Sequence, residues 1–190
     1  MKFGDILIIL SGPQNLKSIK TNIMKIISSL ILAISLSLFS AFTASPVVSE
    51  FPSIKVKTLD GRTVSTSDYI GNGNLTIVSF WASWCSPCKR ELDAFADFYE
   101  DWRAEGVEVV AITIDDSRGM AKVPGIIASK DWEYQILADT KQDLQRALNF
   151  QTIPQTFLVD GSGKIIYTHN GYNPGDEYEL DDKVQAALGN

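Results

Sequence analysis

The sequence predicts an α/β fold, a central mixed β-sheet flanked by helices, with one parallel strand–helix–strand unit and an antiparallel hairpin near its end. Three observations predict it. Residues 75–81 and 107–114 are continuous apolar runs, the pattern of strands buried on both faces of a parallel sheet. Between them Leu92, Phe95, Phe98, Tyr99 and Trp102 recur at steps of three and four, which marks one apolar face of a helix. Further on, residues 156–160 and 164–167 flank Gly161-Ser162-Gly163 and read as strand, turn and strand.

Taken in order, the chain begins with a segment of a different kind. Residues 26–42 carry no charge and are nearly all Ile, Leu, Ala, Ser and Phe, with Lys25 before them and small residues and Pro46 after. That is the layout of a secretory signal. Met24-Lys25 would make a start of its own, which makes residues 1–22 an upstream extension. Cleavage after Ala44 or Ser49 fits the small-residue exit, although Phe42 is bulky for it. The run is also at the short end for an uncleaved anchor. Residues 1–44 are therefore expected to be an extension with a signal peptide or anchor, 45–53 a linker, and 54–190 the folded domain. Either way the domain would lie beyond a membrane, where disulfides persist.

In the domain, residues 54–57 and 62–64 around Asp60-Gly61 predict a hairpin with a two-residue turn. Gly71-Asn72-Gly73-Asn74 is a loop, and the first buried strand ends at Trp81. The helix is expected over 91–105, with Gly106 ending it. After the second buried strand, residues 115–134 form an irregular or partly helical insertion containing Pro124 and Gly125. A strand at 135–138, a helix near 141–148, the terminal hairpin and a closing helix at 176–188 complete the order. Asp176-Glu177 is an acidic start that suits the dipole of that last helix. One domain of about 140 residues can bury its own core.

Charge excludes some functions. The whole chain has a formal net charge of −6. Residues 1–44 hold four lysines and one aspartate, which leaves 13 basic and 22 acidic residues, a net of −9, for the rest. An acidic domain without a basic patch argues against binding nucleic acid or anionic membrane surfaces.

The chemistry centres on Cys85-Ser86-Pro87-Cys88, which holds the two cysteines of the chain at a strand-to-helix junction. A thiol there faces the free N–H groups of a first helical turn, which favour thiolate over thiol. Pro87 lacks an N–H, which costs little in a first turn. A purely structural disulfide across so short a span would constrain little of the unfolded chain. A zinc site would need two more ligands, and the chain has one histidine, His169, and no further cysteine. Haem attachment would need His after Cys88, where Lys89 stands. Dithiol–disulfide redox chemistry remains, with no metal or cofactor. Trp81, Phe80 and Phe157 read as core, Trp84 as active-site surface, and His169 as a strand-edge surface residue.

The stretch Trp81-Ala82-Ser83-Trp84-Cys85-Ser86-Pro87-Cys88 after a buried strand resembles the active site of the thioredoxin superfamily. Ile153-Pro154-Gln155-Thr156-Phe157 resembles that superfamily's cis-proline segment. The leading hairpin, the insertion and the export signal resemble its TlpA/ResA-like extracytoplasmic branch. The resemblance covers roughly residues 50–190 and implies a thioredoxin-like fold with an N-terminal hairpin and a TlpA-type insertion. It also implies a reaction, in which Cys85 attacks a target disulfide and Cys88 resolves the mixed disulfide. Trp84, Ser86, Pro87 and Pro154 would support the site, and Ile153 and Pro154 would bind the substrate strand through a cis peptide bond.

Two positions depart from the pattern. Many relatives carry an acid in the strand before the motif, where this chain has Ser79. ResA-like proteins place one after the second buried strand, and Asp116 falls near there; its competing reading is turn formation. Asp93 stands where many relatives have a helix-kinking proline. The resemblance further implies a periplasmic or otherwise extracytoplasmic monomer that reduces disulfide-containing target proteins, apocytochrome c among them. A membrane thiol-electron donor of the DsbD or CcdA type would recharge it. Two other readings share the fold. A thiol peroxidase would carry a Pro-x-x-x-Thr-x-x-Cys setting, absent here, and a peptide-binding or chaperone module would keep its function without the cysteines.

Overall fold

A computed structural model of the chain describes residues 23–27, which are helical, and 49–190. Apart from 23–27, the segment read as extension and signal or anchor, including most of the apolar run at 26–42, lies outside the described residues. Among the described residues no helix is long and apolar enough to cross a membrane.

The unit from Val48 to Asn190 is built on one seven-stranded sheet in the order β2-β1-β5-β4-β3-β6-β7. Its strands are β1 (Lys55–Thr58), β2 (Thr63–Ser65), β3 (Thr76–Trp81), β4 (Glu108–Thr113), β5 (Gln135–Ala138), β6 (Gln155–Val159) and β7 (Ile165–Asn170). The two runs expected to be buried parallel strands are β3 and β4, paired in parallel from Thr76–Glu108 to Trp81–Thr113, with every residue of β3 buried. β5 adds in parallel to β4, whereas β1 and β6 pair antiparallel to β5 and β3. The central mixed sheet read from the sequence is thus present.

Four helices accompany it: α1 (Ser86–Ala104), α2 (Val123–Ile127), α3 (Asp143–Leu148) and α4 (Asp176–Leu188). Leu92, Phe95 and Trp102 of α1 are buried as its periodicity predicts. Trp102 stacks on Phe98 and donates its indole N–H to Asp181 Oδ1 of α4 at 2.8 Å, which locks the two helices together. The helix starts five residues earlier than expected, because Cys85 caps it and Pro87 fits its first turn.

Two other differences are local. The first hairpin turns through Leu59, Asp60 and Gly61, with Thr58 N–H donating to Arg62 O and Gly61 at φ +85°, rather than through two residues. This is the three-residue turn in which the left-handed position calls for glycine. The linker expected at 45–53 is tied to the sheet where it is described. Ile165 N–H donates to Ser49 O, Glu50 pairs with Lys164, and the Phe51 ring packs edge-on to Phe157. Phe51 is apolar and finds an apolar partner, so this stretch docks beside β7.

Candidate active site

Cys85 and Cys88 sit where β3 gives way to α1, at the carboxyl ends of the parallel strands, the usual site edge of such a sheet. They are joined by a disulfide. Cys85 is the N-cap of α1, and Cys88 N–H lies 3.2 Å from its sulfur, so the helix end places a donor on that atom. The two cysteines are unequally buried. Cys88 is fully buried, whereas Cys85 keeps a small exposure of 4%. An incoming thiol or disulfide therefore meets Cys85 first.

The sheet brings the second predicted segment to the same place. Ile153 O lies 3.9 Å from Cys85 Sγ, and the Ile153–Pro154 peptide bond is cis. Trp84 projects beside Cys85 with 68% exposure, a large apolar surface at the mouth of the site. Ser86 and Pro87 form the first turn of α1 between the cysteines.

The loop that presents Cys85 is clamped from two sides. Asp115, buried just past β4, accepts from Ser83 N–H at 2.7 Å and Ser83 Oγ–H at 2.8 Å, and from Thr113 Oγ–H at 2.7 Å. Lys89 Nζ donates to Ser83 O at 2.9 Å. Gly119 is required here, because a Cβ at that position would come within 2.5 Å of Asp115 Oδ1.

The acid expected at Asp116 is elsewhere. Asp116 is exposed, and its carboxylate accepts from Gly119 N–H at 2.8 Å and Arg118 N–H at 3.0 Å. The Gly119 bond foremost, with Arg118, holds its pKa below the usual carboxylate range. Asp116 thus builds the turn. The reason is the alternation after β4, which turns Asp115 inward and its neighbour out.

The buried acid is Glu91, which sequence reasoning took only as a helix residue. It lies three residues beyond Cys88 in α1, and both are buried. That spacing puts two side chains on one helical face, about 5–6 Å apart at Cβ. Each carboxyl oxygen accepts one hydroxyl. Ser79 Oγ–H of β3 donates to Oε2 at 2.7 Å and Thr156 Oγ–H of β6 to Oε1 at 2.9 Å. Burial pushes the Glu91 pKa up to about 7, against the lowering effect of those two bonds. A carboxyl poised there can exchange a proton with the neighbouring thiol near neutral pH. Ser79, the position where an acid was missing, is a hydroxyl that supports one from the helix instead. The sequence shows only that Cys88-x-x-Glu91 puts an acid on the face of the second cysteine; its partners Ser79 and Thr156 come from strands 12 and 65 residues away.

Asp93, on the outer side of α1, accepts from Lys130 Nζ at 2.6 Å and Trp132 Nε1 at 3.0 Å and so fastens the insertion to the helix. His169 stands on β7, an edge strand as expected, but only about a quarter exposed and 3.1 Å from Asp176.

Several known proteins are similar to this chain. A model of the AhpC/TSA family matches residues 47–168. The chain is 28% identical over 157 residues to the thiol-disulfide oxidoreductase ResA of Bacillus subtilis, covering 80% of this chain and 84% of that one. It is 32% identical over 117 residues to the sporulation thiol-disulfide oxidoreductase A of the same organism, covering 61% and 69%. Among solved structures, a thioredoxin-like protein of Porphyromonas gingivalis matches with a TM-score of 0.66 and 39% identity, over 76% of this chain and 95% of that one.

Proposed function

Because this chain belongs to the AhpC/TSA family of thioredoxin-like proteins, we propose that it is a thiol–disulfide oxidoreductase that reduces disulfides of target proteins outside the cytoplasm. The observation that carries this reading is the unequal pair itself: a capped, slightly exposed Cys85 bridged to a fully buried Cys88 with Glu91 one turn away. In the reduced protein, the α1 N-terminus stabilises Cys85 as thiolate. That thiolate attacks a target disulfide while the substrate strand lies along Ile153 and Pro154. Cys88 then gives its proton to Glu91 and attacks Cys85, which frees the second target sulfur as a thiolate and leaves the bridge seen here.

Export is supported by the apolar run at 26–42 behind Lys25. The targets in this reading are disulfide-containing proteins, apocytochrome c among them, a membrane thiol carrier of the DsbD or CcdA type restores the dithiol, and the protein acts as a monomer. Peroxide reduction is the less favoured activity, since neither cysteine stands in a Pro-x-x-x-Thr-x-x-Cys setting.

The test is reduction of a disulfide-linked protein such as insulin, with dithiothreitol as electron source. Cys85→Ser is expected to abolish turnover. Cys88→Ser is expected to stop after one attack and to accumulate a mixed disulfide on Cys85. Retention of turnover by Cys85→Ser would overturn the assignment.

A further inference from the structure

Glu91 also lines a small cavity of about 10 Å³, room for roughly one water molecule. Phe95 and Leu180 form its apolar walls, and His169, Tyr172, Asp176 and Glu177 its polar ones. The cavity lies between the buried acid and the partly exposed pair His169 and Asp176. Thr156, which donates to Glu91, lies directly opposite His169 in the β6–β7 register. His169 Nε2 is 3.1 Å from Asp176 Oδ2, and these two side chains are 26% and 25% exposed. Asp176 is held in place by Asn173 N–H at 2.7 Å, and Glu177 by Tyr172 O–H and Gly175 N–H, each at 2.9 Å.

The other sides of Glu91 carry little charge. From β3 and β6 it meets the neutral hydroxyls of Ser79 and Thr156, and along its own helix Cys88. Tyr134, buried and donating to Leu92 O, has its phenol pKa pushed far up by burial and stays neutral. Charge reaches Glu91 across the cavity from Asp176. A low-dielectric gap screens such charges poorly.

We propose that Asp176, paired with His169, is a positioning residue of the redox site, which acts across this cavity to set the proton affinity of Glu91 and so the pH at which Cys88 completes the exchange. The proposal rests on Glu91 taking the Cys88 proton. In that step the Cys88–Cys85 bond forms and the Cys85–target bond breaks. The target sulfur leaves with the electron pair, and the Cys88 proton moves to the Glu91 carboxylate. The two cysteines together lose the two electrons that the target disulfide gains. The Asp176 carboxylate opposes a second negative charge at Glu91 and delays its deprotonation. The direction agrees with the contribution of Asp176 to the raised Glu91 pKa.

The test mixes reduced protein with 5,5′-dithiobis(2-nitrobenzoate) in a stopped-flow instrument across a range of pH. The first release of chromophore reports attack by Cys85, and the second reports resolution by Cys88. In the wild type the second phase should accelerate as Glu91 deprotonates, and Glu91→Gln should lose that limb. Asp176→Asn should move its midpoint to lower pH, by roughly half a unit or more. Structural damage alone would slow the second phase without moving its midpoint. An unmoved midpoint in Asp176→Asn, with the limb still lost in Glu91→Gln, overturns this proposal and leaves the role of Glu91 standing. A limb that survives in Glu91→Gln removes the premise instead.

Discussion

Glu91→Gln should stabilise the folded protein at neutral pH while it impairs the redox cycle. Glu91 is 2% exposed, and its pKa is raised from 4.5 to about 7, with burial as the main cause. Between those two values the folded chain keeps a proton on Glu91 that the unfolded chain has released. Stability therefore falls as pH rises through that window, and the whole loss is present above pH 7. The window is about 2.5 pH units wide, which at 1.36 kcal/mol per unit is a cost of about 3 kcal/mol. Glutamine has the same shape and no charge. Its carbonyl can accept from one of Ser79 and Thr156 and its amide can donate to the other hydroxyl. The variant should match the wild type near pH 4.5 and exceed it by about 3 kcal/mol above pH 7. With a urea dependence of about 2 kcal/mol per molar, that is a midpoint higher by about 1.5 M. Urea denaturation of the oxidised protein at a series of pH values measures it, and the difference between the two proteins isolates Glu91 from other titrating groups. Parallel pH profiles for wild type and variant would refute the reasoning, because they would mean that Glu91 titrates alike in the folded and unfolded chains.

The neighbouring aspartates should separate sharply. Asp115→Ala leaves Ser83 N–H, Ser83 O–H and Thr113 O–H without their buried acceptor, so a loss of about 3 kcal/mol in urea denaturation is expected. Asp116→Asn, at an exposed turn, should cost about 1 kcal/mol or less and leave the pH profile of Cys88 reactivity unchanged. Trp84→Ala should leave the unfolding midpoint within about 0.5 kcal/mol of wild type, because the ring is 68% exposed. The same variant should slow reduction of a protein disulfide while a small aromatic disulfide reacts as before, as steady-state assays with both substrates would show.

How much of this was legible beforehand depends on the range of the interaction concerned. β3 and β4 could be read from their unbroken apolar runs, because burial on both faces leaves that mark on each strand alone. The cysteine pair was equally plain, since local spacing and a strand-to-helix junction define it. The acid was not. Asp116 stands next to a buried strand in sequence, yet whether it or Asp115 faces inward depends on how the chain leaves β4. Glu91 is held by Ser79 and Thr156, 12 and 65 residues away, so its burial follows from packing α1 across β3 and β6. Residues 49–51 looked like linker because their partners, Gly163, Lys164 and Ile165, lie more than 100 residues later. Separation in sequence also hid the cavity that His169 and Asp176 share with Glu91.

The equilibrium reduction potential of Cys85/Cys88, measured against glutathione or dithiothreitol buffers, tests the central claim most directly. A protein-disulfide reductase should poise near the potential of thioredoxin, about −270 mV. A value near about −120 mV, that of a strong dithiol oxidase, would contradict the account and reverse the direction in which electrons leave this site.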